Sequence, residues 1–236
     1  DKEITNCFLH ADGPGELPSR RTSKQLLGVI TPSGSYREMG HVCAWAYKEI
    51  AESEFPEVYI ILGKKKGLGF STYLFSGWQT PLGVVKVDKE HGQELMRLFP
   101  DLRNEYAAFE GEHTIEGQLP FLQFANKDNL NEIAMIPILI GSMDYAACQR
   151  LGEAIAELRE HCNLCVIGSC NLYGDVGDAA LVDALKRVDA AKARDIAYVR
   201  SAPGDIVVFM EAMKHLFARK GRLSHYRPGY AAIAYG

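Results

Sequence analysis

The 236-residue chain carries 26 Lys and Arg against 30 Asp and Glu, for a net charge of −4, with 47% apolar residues, seven His and six Cys. That length fits one large domain or two small ones, and the apolar share excludes intrinsic disorder. The negative balance argues against a nucleic-acid binder driven by counterion release or a protein held to a membrane by basic charge, and no apolar run approaches the ~20 residues of a bilayer span. In chain order, residues 1–24 form a polar, Gly- and Pro-containing segment of unassigned order, without the apolar stretch of a signal peptide, so a cytoplasmic location is expected. From 25 to 236 apolar runs and one-sided stripes alternate. Leu26 to Ile30 reads as a buried strand, followed by a Pro/Gly/Ser turn and a helix from about Gly40 to Ala51. Val58 to Leu62, Ile133 to Ile140 and Leu164 to Ile167 are three further short, continuous apolar runs, the pattern of strands covered on both faces. Leu151, Ile155, Leu158 and Cys162 recur at helical spacing in a segment from about Tyr145. A late helix is predicted with Pro203 near its first turn, Ile206, Phe209, Met210, Met213, Leu216 and Phe217 on one stripe, and Gly221 as its stop. The chain then closes in a strand or hairpin. Strands alternating with helices and no repeat imply a single α/β domain, a mainly parallel central sheet with helices on both faces.

In such sheets ligands bind beyond the carboxyl ends of the strands, which nominates Thr31 to Tyr36, Gly63 to Gly69 and Gly168 to Gly174 as pocket loops. The lysine triplet Lys64 to Lys66 misses P-loop spacing and no Gly-x-Gly-x-x-Gly opens the first helix, so neither standard nucleotide-binding route is present. Three lysines between glycines either cradle an anion or form a solvated charged turn. Glu110 to Glu116 is expected to enter a helix ending near Pro120 or just beyond, with His113 and Glu116 three apart on one face, suited to metal ligation, proton transfer or simple helix-end electrostatics. Cys162-x-x-Cys165 follows a helix and runs into a strand, the wrong end for a thiolate-stabilising dipole, and the six cysteines read as reduced core thiols. Neither a Gly-x-Ser-x-Gly elbow nor His-Glu-x-x-His occurs.

The string from Glu112-His113-Thr114-Ile115-Glu116 to Gln123, followed by Met135-Ile136-Pro137-Ile138-Leu139-Ile140-Gly141, resembles the Memo family, whose prokaryotic members are often called AmmeMemoRadiSam system protein B. Thr31 to Tyr36, Leu62-Gly63 and Thr80-Pro81-Leu82-Gly83 extend the likeness from about Leu26 to the C-terminus. The resemblance implies a fold like that of class III extradiol dioxygenases and, in ordinary members, a metal site. Carried over residue by residue, the family's ligand positions fall here on Ser33, Lys66, Cys170, Tyr173 and Val199, of which only Cys170 suits a soft metal. The inherited metal site is therefore expected to be absent and no cofactor is expected. His113, Glu112 and Glu116 retain the family pattern beside the expected pocket. Lys66 would either attract a small anion or pair with Glu112 or Glu116.

Three functions follow. The first is a non-catalytic binding or regulatory protein, a pseudoenzyme with an anion pocket or a protein or peptide partner. The second is a metal-independent enzyme using His113 with Cys170 or Tyr173. The third, a metal-dependent oxidoreductase, has the least support because its ligands are missing.

Overall fold

A computed structural model describes residues 2–199 and 204–236, with the backbone alone for Val199. The elements run α1 (Lys2–Leu9), β1 (Gly28–Thr31), α2 (Tyr36–Glu52), β2 (Val58–Leu68), β3 (Phe70–Thr72), β4 (Trp78–Thr80), β5 (Gly83–Val87), α3 (Lys89–Leu98), β6 (Leu102–Asn104), α4 (Leu119–Ala125), β7 (Ala134–Ser142), α5 (Tyr145–Leu158), β8 (Leu164–Ser169), α6 (Asp178–Lys186), α7 (Ala190–Val199), α8 (Gly204–His215), β9 (Gly221–Arg227) and β10 (Tyr230–Tyr235). The sheet runs β4-β5-β7-β2-β8-β1-β10-β9, with β3 and β6 attached beside β7. The five strands β5-β7-β2-β8-β1 are parallel, and antiparallel β10-β9 and β4 flank them.

The continuous apolar strands are explained by two cores. Side chains alternate across a strand, so Ile60 and Leu62, Ile136 and Ile138, and Leu164 and Val166 enter one core, while Tyr59, Ile61, Met135, Leu139, Cys165 and Ile167 enter the other. Helices α3, α5, α6, α7 and α8 cover the first, and α1, α2 and α4 the second. Each such side chain removed from water contributes ~1.5–3 kcal/mol, so neither face could be left bare. Residues 2–24 take part: Ile4, Cys7 and Phe8 of α1 pack in the second core, and the Arg21 guanidinium donates to Ile50 O, Ser53 O and Asn126 Oδ1. Pro137 sits inside β7 without cost because its carbonyl accepts from Thr72 Oγ1 on the side where β5 pairing has ended, so the missing N–H also falls in that gap.

Several sequence expectations shift. The lysine triplet is the outer end of β2, not a loop. Gly63, Lys64 and the preceding apolar run all pair with β7. Pro120 stands in the first turn of α4 rather than at the end of a helix, where its missing N–H has no partner to lose. His113 accordingly lies in a turn ahead of a 3-10 segment, Glu116–Gln118. The late helix stops at His215, and Gly221 opens β9 because a side chain there would meet Ile233 and Tyr235 of the neighbouring strand. Pro203 lies outside the described residues.

Candidate functional site

Strands β1 and β8 end together at Thr31 and Ser169, while β2 and β7 run a few residues further beside them. Beyond Thr31 of β1, Ser169 of β8, Lys64 of β2 and Ser142 of β7 lies a cavity of about 480 Å³, closed from one side by Gly204 and Asp205 at the start of α8. Close approach builds it. Gly63 leaves room for Thr114, whose Oγ1 a Cβ would strike, and the Lys64 N–H donates to that hydroxyl at 3.2 Å. A Cβ on Gly204 would meet Ile140 at 2.8 Å, so glycine lets the α8 terminus settle on β7.

The walls are laced by hydrogen bonds. Ser33 N–H donates to Asn171 Oδ1 and Asn171 Nδ2 returns a bond to Ser33 O, both at 2.9 Å, tying the β1 loop to the β8 loop. Buried Gln118 donates to Pro32 O and Ser169 Oγ at 2.9 Å and accepts from Tyr47, while Ser169 donates to Thr114 O at 2.6 Å. Asp178, fully buried, accepts the backbone N–H groups of Tyr173, Gly174 and Gly229 at 2.8–3.0 Å and so fixes the loop that carries Tyr173.

Charge in the cavity comes from Lys64, Lys65 and Asp205. Lys65 is already engaged: its Nζ donates to Ser71 Oγ at 2.5 Å and lies 3.7 Å from Glu105, whose carboxyl is held low by the Ser71 hydroxyl bond and by Lys65 itself. Lys64 is exposed and, among the described residues, forms no ion pair. Asp205 Oδ1 accepts the Ile206 N–H at 3.0 Å, yet burial pushes its carboxyl up, with that bond, the Cys170 thiol and Lys64 pulling the other way. Cys170 is buried behind the cavity, its thiol pushed well above the usual range by burial and by Asp205.

The sequence-nominated residues are therefore dispersed. Ser33 and Tyr173 line the strand-end cavity, while Cys170 is buried behind it against Asp205 and does not line it. Lys66 faces a neighbouring cavity with Lys65, Glu105, Glu110 and Glu112. The reason is register: from Lys64 to Leu68 β2 advances four residues while β7 advances two, from Ile140 to Ser142, so the excess bows outward and takes Lys66 with it. No ion pair joins Lys66 to Glu112 or Glu116 among the described residues. Glu112 instead accepts the N–H groups of His113 and Thr114 at 2.9 Å, and Glu116 bonds His113 Nδ1 at 2.5 Å with both side chains exposed. His113 is in the wall of neither cavity and Glu116 lines a third. Val199 ends α7, and its side chain is outside the described part.

Lys64 and Asn171 fell within the nominated pocket loops without being picked out from their neighbours, and Thr114 and Asp205 were not nominated as pocket residues. For Lys64 a signal existed, since it is the first position after the buried run and Lys66 stands roughly 6–7 Å further along an extended strand. For Asp205 the signal was an acidic residue inside an otherwise apolar helical stripe.

The fold and this cavity define a doubly covered, mainly parallel α/β protein with its polar site at the strand ends. The chain belongs to the Memo-like protein family, whose description matches residues 1–233. It is 36% identical over 179 residues to a MEMO1 family protein of Methanobrevibacter smithii, covering 72% of this chain and 62% of that one. A MEMO1 family protein of Methanopyrus kandleri is 37% identical over 163 residues, 67% of this chain and 56% of its own length, and one of Methanococcus maripaludis is 31% identical over 240 residues, 94% and 84%. The match to the first two thus spans less than two thirds of their length. Among solved structures, the uncharacterized protein JW3007 of Escherichia coli K12 superimposes with a TM-score of 0.57 at 13% identity, over 90% of this chain and all of that one, a likeness of fold alone. No helix among the described residues is long and apolar enough to cross a membrane.

The donor set does not fit a metal. Among the described residues no three His, Cys, Asp or Glu side chains converge. At the strand ends Cys170 and Asp205 are two donors whose protonated forms burial favours, and both feel the positive charge of Lys64.

Proposed function

We propose that the chain is a Memo-like binding protein that takes a small oxyanion, a phosphate or carboxylate, in the strand-end cavity and performs no metal-dependent chemistry there. The observation that carries this reading is Lys64, an ammonium without an ion pair among the described residues, on the wall of a 480 Å³ cavity that also presents the engaged Lys65, Asp205 and several hydroxyl, amide and main-chain groups. The Ser33, Thr114 and Ser142 hydroxyls and the second Nδ2 hydrogen of Asn171 can supply donors around it, and donors converging beside a cation favour an anion. Among the described residues Asp205 is the one carboxyl on the lining that would oppose binding, and burial disfavours its charged form.

Metal-independent catalysis by His113 has less support. Its side chain is 75% exposed and tied to Glu116, and the buried Cys170 thiol is disfavoured as a thiolate nucleophile.

The test is thermal stability in inorganic phosphate. Phosphate at ten times its Kd should add about 1.4 kcal/mol to the unfolding free energy, and Lys64→Ala should abolish the gain. An unchanged melting temperature across millimolar phosphate, or an undiminished gain in Lys64→Ala, refutes the reading.

A further inference from the structure

A second cavity, of about 560 Å³, lies between the β4–β5 hairpin and the turn around Glu116. Its chemistry is opposite. Tyr73, Trp78, Tyr106 and Phe109 line it together with Glu110 and Glu116, and among the described residues no Lys or Arg does.

The rings are set like the corner of a box. Tyr73 stands at 86° to Trp78 and 66° to Phe109, Trp78 at 85° to Phe109, and the centroids are 5.7–5.8 Å apart. Tyr106 adds a fourth ring 5.9 Å from Tyr73 while 58% exposed. In each edge-to-face contact one ring's edge covers a π face of its partner, so only the opposite faces are left for a ligand. Four large aromatic residues would normally bury 150–250 Å² each, and arranging them around a hollow forgoes part of that gain. Cation–π contacts among the described residues involve other rings, those of Phe55, Phe99, Tyr145 and Tyr230.

We propose that this cavity binds a methylated ammonium group, as carried by a small quaternary amine. The ring quadrupoles attract a cation placed within about 6 Å of their faces, and Glu110 and Glu116 supply the countercharge. A methylated ammonium sheds its water more easily than a primary one and fills an aromatic corner with methyl surface. A bare metal ion is disfavoured because Glu116 is already bonded to His113, leaving Glu110 as the one carboxylate without such a bond.

The experiment is calorimetric titration of the full chain with choline and with its uncharged isostere 3,3-dimethylbutan-1-ol. Choline should bind about tenfold more tightly, the ratio that a cation–π contribution of about 1.4 kcal/mol gives. Tyr106→Ala, at an exposed position, and Glu110→Gln should each weaken choline several-fold, and Glu110→Gln should leave the neutral isostere unchanged. A melting curve of each variant separates weakened binding from lost structure. Equal affinity for the two compounds, no heat at millimolar choline, or choline binding indifferent to both substitutions would overturn the proposal.

Discussion

The two cavities sit on either side of the turn that carries His113 and differ in how they are built. The strand-end cavity rests on the carboxyl-end segments of four parallel strands, and its walls are held by buried polar groups: Gln118, Ser169 and Asp178. The aromatic cavity rests on a short hairpin and a 3-10 turn, and its walls are rings held against one another. The first is specified by hydrogen bonds whose loss leaves buried groups unsatisfied, the second by contact area that degrades gradually. Sensitivity to substitution should therefore differ sharply between them.

The largest effect is expected at the seam. Gln118→Ala removes bonds to Pro32, Ser169 and Tyr47 at a fully buried position and should cost about 3 kcal/mol in chemical denaturation. Because Gln118 bonds Ser169 of the strand-end cavity and stands between Gly117 and Leu119 of the aromatic one, its loss should loosen both, and an effect confined to one would break the picture of a shared support. Asp178→Ala sharpens the contrast. It strips three backbone N–H groups of their acceptor and should cost about 2 kcal/mol. Hydrogen exchange should then rise at Tyr173, Gly174 and Gly229 while amides of residues 78–80 stay as protected as before.

A smaller effect concerns pH. Burial raises the Asp205 carboxyl above its ordinary 3.8, so the native state holds that proton more tightly than the unfolded chain. The associated stability is fully present below pH 3.8 and is lost as pH rises through the raised native value. Asp205→Asn, which cannot ionise, should thus raise Tm at pH 7, and the advantage should vanish near pH 3. A variant equally stabilised at both pH values would contradict the burial argument. The smallest effect is a null one: Lys66→Ala should leave phosphate stabilisation intact.

The two-sided sheet was legible because continuous apolar runs such as Val58 to Leu62 and Leu164 to Ile167 have no alternative to being covered on both faces. The α5 and α8 stripes were equally plain, except that Phe217, placed on the late stripe, lies beyond the helix end and is exposed. Strands β3, β4 and β6 span three residues each, too few for a period to register. The Memo resemblance rested on residues 112–123 and 135–141, and these pack as strand β7 and as the turn and helix beside it. The site was less legible. The strand ends nominated the loops around the cavity, while the family resemblance supplied Ser33 and Tyr173, which line it, Cys170, which does not, and Lys66, which the bow in β2 carries to a neighbouring cavity, a displacement that depends on pairing with β7. The aromatic cavity joins residues from 73 to 116 across the hairpin, with no local pattern to announce it.

The central claim is that one turn separates an anion site from an organic-cation site. Amide chemical-shift mapping of the full chain tests it most directly, with inorganic phosphate and choline titrated separately. Phosphate should move Ser33, Lys64, Thr114, Asn171 and Asp205 while sparing Tyr73, Trp78 and Phe109, and choline should do the reverse. Shifts from both compounds on the same residues, or none from either, would contradict the account.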